Sequence, residues 1–263
     1  MGLVHHVGWD PALCERSPWF WPLAAAASHF AAHADWPTFQ DFDLAYAACT
    51  AGLPLPALRF RDNVRKRDKR AEGRVVLEAL YDARISLARE VPTRERNWHD
   101  LLNMLCFATF PHSKLALHAR QYARLAERID ERTQKLPNRR TPEQDALTLF
   151  DEGGVVLAVE ADAAHSFSFT DPAAAPEERE RLCLALRDAK RLRVVPFGHA
   201  LYEHLVEGLR CPGGCTQLVV VEDLWAEPFL RELDRALSHR LRDPAQLTSP
   251  RACGHVRLQA LAL

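Results

Sequence analysis

Asn97-Trp98-His99-Asp100-Leu101-Leu102-Asn103-Met104-Leu105-Cys106-Phe107-Ala108-Thr109-Phe110-Pro111 decides how this chain is read. Asn97 is a helix-capping residue, and Asp100, three positions on, stands where a carboxylate reaches back in a capping-box-like pair. The body that follows is apolar on nearly all sides, so it has to be surrounded by protein. Pro111 lacks an amide proton and stops it. The fold is then a matter of what wraps this central helix.

Working outward toward the N-terminus, residues 73–90 (GRVVLEALYDARISLARE) place Val76, Leu77, Leu80 and Ile85 at helical spacing, which predicts a helix with one buried stripe. The basic run Arg59 to Arg70, interrupted by Asp62 and Asp68, reads as a solvated linker or helix face. Trp9, Trp19, Trp21 and Trp36 in residues 1–56 suggest short helices packed by aromatics, ending at Leu53-Pro54-Leu55-Pro56. Toward the C-terminus a second helix is expected from Ser113 to about Gln134, then a polar break at Pro137-Asn138-Arg139-Arg140.

Thr141-Pro142-Glu143-Gln144 is a capped helix start, read here as a single turn. Ala146 to Phe150 then reads as a strand, Asp151-Glu152-Gly153-Gly154 as a turn, and Val155 to Val159 as the returning strand of a hairpin. Further helices are expected over Pro176 to Lys190, His199 to Leu209 and Glu227 to Leu241, with extended runs at Leu192 to Phe197 and Gln217 to Val221. The sum is an α+β fold with a mostly helical first half and a hairpin, short strands and helices in the second. A single domain spanning residues 1–263 is expected, helical over 1–136 and mixed α+β over 137–263.

Composition narrows the function classes. A hydrophobic fraction of 48% with 26% charged residues describes a globular chain. A net charge of -1 lacks the basic excess of a non-specific nucleic-acid binder, so nucleic acid is not favoured as a partner. No apolar stretch approaches the roughly 18 residues needed to span a bilayer, and the start carries no signal-peptide pattern. The seven cysteines are odd in number and scattered, which favours reduced thiols and a cytoplasmic setting. There is no GxGxxG after a strand, no GxxxxGK[ST], no GxSxG and no HExxH, so nucleotide-binding, serine-hydrolase and zincin classes lose support.

Three blocks carry a family resemblance. The first is Tyr81-Asp82-Ala83-Arg84-Ile85, Val91-Pro92-Thr93-Arg94 and Asn97-Trp98-His99-Asp100-Leu101, completed by Asn103, Phe110-Pro111 and Lys114. The second is Asp145 to Glu152 with Gly154, and the third is Phe197-Gly198-His199-Ala200-Leu201. Together they resemble the bacterial domain of unknown function 3025 family over roughly residues 50–225. The resemblance implies a bacterial cytosolic protein and no established activity. Met104 and His118 depart from it, standing where Ala and Asn are expected, and the Cys211 to Cys215 loop is peculiar to this chain.

Four constellations are candidates for chemistry. On a helix, Arg96, His99 and Asn103 share a face, and with Arg94 they bring guanidinium, imidazole and amide groups together. The competing reading is that His99 and Asn103 merely satisfy nearby backbone. His199 follows Gly198 in the first turn of a helix, where the dipole favours neutral imidazole, and Glu203 four residues on can orient it. Its competing reading is a tight-turn residue covering a strand end. Asp145 is a carboxylate that its capping turn does not require, whereas Asp151 and Glu152 read as ordinary turn residues. Cys211, Cys215, Cys253 and His255 form a candidate four-ligand set for a structural zinc. Unliganded loop thiols are the other reading of that set.

Two functions follow. In the first, a small-molecule enzyme, His99, Asp145 and His199 perform acid–base or metal-assisted hydrolysis, while Arg94, Arg96, Asn103 and Lys114 hold a phosphorylated or carboxylated substrate. No cofactor is named by the sequence; zinc at the Cys/His set and a divalent metal at the histidines are the candidates. In the second, a non-catalytic binding or interaction protein, the same residues form a structural polar network. Three separate segments converging on one His/Asp/Arg set favour the enzyme, which requires His99 and His199 to reach one substrate.

Overall fold

The computed structural model describes residues 8–63, 70–71, 74–129, 139–164, 176–206 and 213–258. The fold is α+β. Its centre is the helix read first. Short 3-10 turns lead into α1 (Ala24–Ala27) and α2 (Phe39–Cys49), the latter started by a Thr38–Asp41 capping box. After β1 (Arg59–Asp62), β2 (Arg70–Ala71), β3 (Arg74–Val75), α3 (Tyr81–Ala83) and β4 (Glu90–Thr93), α4 (Trp98–Thr109) enters the core. Ten of its residues are buried. Trp9 and Trp36 pack against Trp98 at its N-terminal end, with centroids 5.7 and 4.7 Å away.

Asn97 caps α4 as expected, its side chain accepting from the Asp100 amide at 3.1 Å. The Asp100 carboxylate takes Arg94 instead of returning to Asn97. Pro111 opens α5 (Pro111–Ala126) directly; the helix ends at Ala126, with residues 127–129 outside it, short of the expected Gln134.

Two segments differ from the sequence reading. Residues 73–90 are not one helix: β3 pairs with β2, and a π turn at Arg84–Ala88 ends on Arg89 in the left-handed region before β4. Only Ile85 of the four stripe residues is fully buried. The basic run begins as β1, parallel to β4, while residues 64–69 lie outside the described residues.

Nor is 146–159 a hairpin. The Thr141 cap starts a full helix, α6 (Pro142–Gly153), and Gly154 opens β5 (Gly154–Glu160) without a turn. Ala146, Leu147 and Phe150 are buried, which is helical spacing and not strand alternation.

The second half continues with α7 (Ala161–Ala164), α8 (Pro176–Asp188), β6 (Leu192–Pro196), α9 (His199–Val206), β7 (Gly213–Val221), α10 (Phe229–Arg242) and β8 (Gly254–Arg257). The main sheet runs β6-β5-β7-β8, with β5 and β7 parallel and the outer pairs antiparallel. β5 is buried from Gly154 through Val159, as a strand covered on both faces must be. The larger of two apolar clusters draws on residues from Leu13 to Cys253, and the smaller one packs Val155, Leu157 and Val159 of β5 against Cys183, Leu186, Leu192 and Val194. No helix among the described residues is long and apolar enough to cross a membrane.

Candidate functional site

Two backbone junctions meet at Gly198. β6 delivers the chain to α9 there, beside the place where α6 passes into β5. The amides of Phe197 and Gly198 both donate to the Gly154 carbonyl, at 2.8 and 2.9 Å. A Cβ on residue 198 would run into the Glu152 carbonyl oxygen and the Gly154 nitrogen, so only glycine permits this approach. His199, 4% exposed, is thereby held against the end of α6, and its Nδ1 lies 2.9 Å from the Asp151 carbonyl oxygen.

His99, in the first turn of α4, meets it. The two Nε2 atoms are 3.1 Å apart, with the rings crossed at 76°. The outer nitrogen of His99 lies 3.0 Å from Glu203 Oε2. These partners dictate the protons. A carbonyl only accepts, so His199 carries its proton on Nδ1 and leaves a lone pair on Nε2. A carboxylate also only accepts, so His99 Nδ1 is protonated, and the Nε2 contact needs a second proton on His99. The pair is therefore imidazolium His99 donating to neutral His199. Burial opposes the charge on His99, but Glu203 outweighs it and raises the pKa. Burial and the nearby Lys114 charge push His199 down to about 3. Glu203 thus orients His99, not His199, which its four-residue spacing had suggested.

Behind the histidines lies a buried ion pair. Lys114, 0% exposed, donates to Asp151 Oδ1 at 2.5 Å and to Asn103 Oδ1 at 2.8 Å, its ammonium 4.7 Å from the centroid of the Phe107 ring. Burial disfavours the Asp151 carboxylate, yet the Lys114 ammonium beside it overcomes this and holds its carboxyl well below the usual range. Asn103 passes its amide protons to the Tyr81 hydroxyl at 2.8 Å. His118, with 3% of its side chain exposed, is oriented through Nδ1 by Asp82 at 2.9 Å and stacks on Phe107; its Nε2 lies 3.9 Å from Asp151.

A cavity of about 280 Å³ is lined by His99, His199, Asn103, Tyr81, His118 and Asp151, with Arg94 and Arg140 also on its wall. His99, His199, Asn103 and Arg94 from the sequence reading are therefore brought together. Four other expectations change. Arg94 is closed onto Asp100 by its backbone amide (2.6 Å), Nε and Nη2 (2.9 Å each). Arg96 precedes the helix in the left-handed region and donates to Asp35 at 2.5 Å on the surface, because the extended Asn97 cap separates it from the His99 face. Lys114 is spent on Asp151 and Asn103. Asp145 is exposed and does not line the cavity. In a continuous helix it points away from the face carrying Asp151, since six residues advance about 240° beyond a full turn.

On the cavity wall Arg140 has no acidic partner among the described residues; its Nη1 donates to the Thr148 hydroxyl at 3.3 Å. In the sequence it stands in a polar break, which gives no sign that it faces a cavity. Asp151 was missed because Asp-Glu-Gly-Gly is turn chemistry in isolation.

The Cys/His set is only partly placed. Cys211 lies outside the described residues. Cys215 and His255 are register partners across β7 and β8, and Cys215 shares a hydrogen bond with Cys253. His255 is exposed, with Nδ1 3.2 Å from the Cys253 carbonyl. Among the described residues no three His, Cys, Asp or Glu side chains are grouped to hold a metal ion.

The family described as protein of unknown function (DUF3025) matches residues 71–259. The chain belongs to that family. The DUF3025 match begins later than the resemblance read from the motifs and runs on through β8, so it takes in the whole main sheet and every residue of the cavity wall except Asn63. No curated protein and no solved structure matches the chain.

Proposed function

We propose that this DUF3025 protein is a small-molecule enzyme that uses His199 as general base and His99 as general acid to hydrolyse a substrate carrying a carboxylate or phosphate. The observation that supports the reading is the 3.1 Å contact between the two Nε2 atoms on the wall of a cavity, with each outer nitrogen anchored. A lone pair and an acidic proton are then presented side by side in the states the two roles need.

Water bound in the cavity gives its proton to His199 Nε2 as its oxygen bonds to the substrate's electrophilic centre. The leaving group takes the Nε2 proton of His99 as its bond breaks. The proton then passes from His199 to His99 across their contact, which restores the starting pair. His99, with 31% of its side chain exposed, is the partner that can swing aside to admit substrate. Arg140 supplies the charge for the anionic group in place of Arg94, Arg96 and Lys114, which are paired with Asp100, Asp35 and Asp151.

The closed ion pairs of Arg94, Arg96 and Lys114 favour the second reading, a structural polar network, and one experiment separates the two. Purified protein is assayed against p-nitrophenyl phosphate and p-nitrophenyl carboxylate esters, beside His199→Gln and His99→Gln. Turnover that falls at least about 100-fold in His199→Gln, with folding intact, supports the enzyme. No turnover in any sample, with a sharply lower Tm in His99→Gln, supports the network.

A further inference from the structure

A second cavity of about 290 Å³ lies at the far end of α4, lined by Thr109 and roughly 15 Å along that helix from His99. Its floor is apolar: Pro22, Ala26, Ala108, Pro111 and Leu230. Its rim carries Arg231 and Arg235, one turn apart on α10, and neither guanidinium has an ion-pair partner among the described residues. Exposed arginines one turn apart at the mouth of an apolar hollow are the charge pattern of a site for an amphipathic anion.

The one carboxylate on the wall does not reverse that sign. Asp234 is 2% exposed and accepts the His112 and Ser113 amides at 2.9 and 2.8 Å, so its charge is met by the N-terminus of α5. The field around the rim is positive: after burial, Arg235, Arg242 and His239 are what depress the His112 pKa.

We infer that this cavity binds a medium-chain monocarboxylate, its hydrocarbon chain on the Pro22–Ala108–Leu230 floor and its carboxylate between Arg231 and Arg235. The volume lies at the low end for small-molecule sites, which suits a chain of about eight carbons. This cavity shares no lining residue with the one that holds His99 and His199.

Calorimetric titration of the whole protein with sodium octanoate tests it, with octylamine as the cationic probe of equal length. The expected result is saturable one-to-one binding of octanoate and none of octylamine. Ala48→Phe, which places a ring over the cavity from an exposed position on α2, should abolish binding. The double variant Arg231→Gln/Arg235→Gln should weaken it at least ten-fold, and His99→Gln should bind like the parent. Any of three results overturns the inference: no octanoate binding at millimolar concentration, equal binding of octylamine, or affinity unchanged in Ala48→Phe or in the arginine variant. Circular dichroism of each variant establishes that it is folded.

Discussion

Replacing Lys114 by Met removes the ammonium that compensates a buried carboxylate while keeping the length of the side chain. In the parent, Lys114 is fully buried and bridges Asp151 and Asn103. Breaking a buried pair from one side costs about 3–5 kcal/mol, because the remaining charge is stranded. For a chain of this size that corresponds to a Tm lower by roughly 10 °C. The loss should depend on pH in a definite direction. Without Lys114 the Asp151 carboxyl titrates above its unfolded value instead of below it, so it takes up a proton as pH falls and the stranded charge disappears. The gap between parent and variant is therefore widest near pH 7 and narrows toward pH 4. Lys114→Met/Asp151→Asn should recover much of the stability, since no charge is then left unpaired. Urea unfolding at pH 7 and pH 4.5 measures each term. A single-variant loss under about 1 kcal/mol, or a double variant in which the two losses simply add, refutes the argument that the pair is a coupled unit.

Three further outcomes are expected. His199 is neutral in the folded chain and titrates at about 3, whereas in the unfolded chain it protonates near its ordinary value; each unit of pH below about 6.5 therefore costs about 1.4 kcal/mol from this group. His99 acts oppositely, its contribution complete below the unfolded pKa and lost as pH rises through its raised folded value, so thermal unfolding should show a stability maximum near neutrality. Histidine NMR titration that found both imidazoles ionising together near pH 6.5 would contradict the proton assignment. Gly198→Ala should lower stability by about 2–3 kcal/mol, since the added methyl meets backbone that cannot yield, and a melting curve like the parent's would show the junction to be looser than described. Asp145→Asn and Arg96→Ala, both at exposed positions, should each change stability by less than about 0.5 kcal/mol, and a larger loss in urea unfolding would restore them as site candidates.

Local chemistry determined much of this protein from sequence alone. The Asn97 cap, the apolar body behind it and Pro111 act within a few residues of one another, so α4 and the start of α5 were legible without any partner. The Gly198-His199 junction was legible for the same reason: a strand, a glycine and a helix start are contiguous. Residues 146–150 satisfy either period, being four apolar residues around Thr148, and only burial of Ala146, Leu147 and Phe150 on one face makes them helix. That single difference moved Asp145 to the surface and Asp151 into the interior.

What tertiary structure alone decided is who pairs with whom. His99 and His199 were each recognisable, but the carboxylate that charges His99 comes from α9, over a hundred positions away, and the carbonyl that fixes His199 comes from the end of α6. Lys114 and Arg94 looked like free cations because their acidic partners were read as turn or capping residues. A charged side chain in sequence shows only what it can bind. Whether it remains available for a substrate depends on which opposite charge folding has already placed beside it, and that is a non-local property of the packed chain.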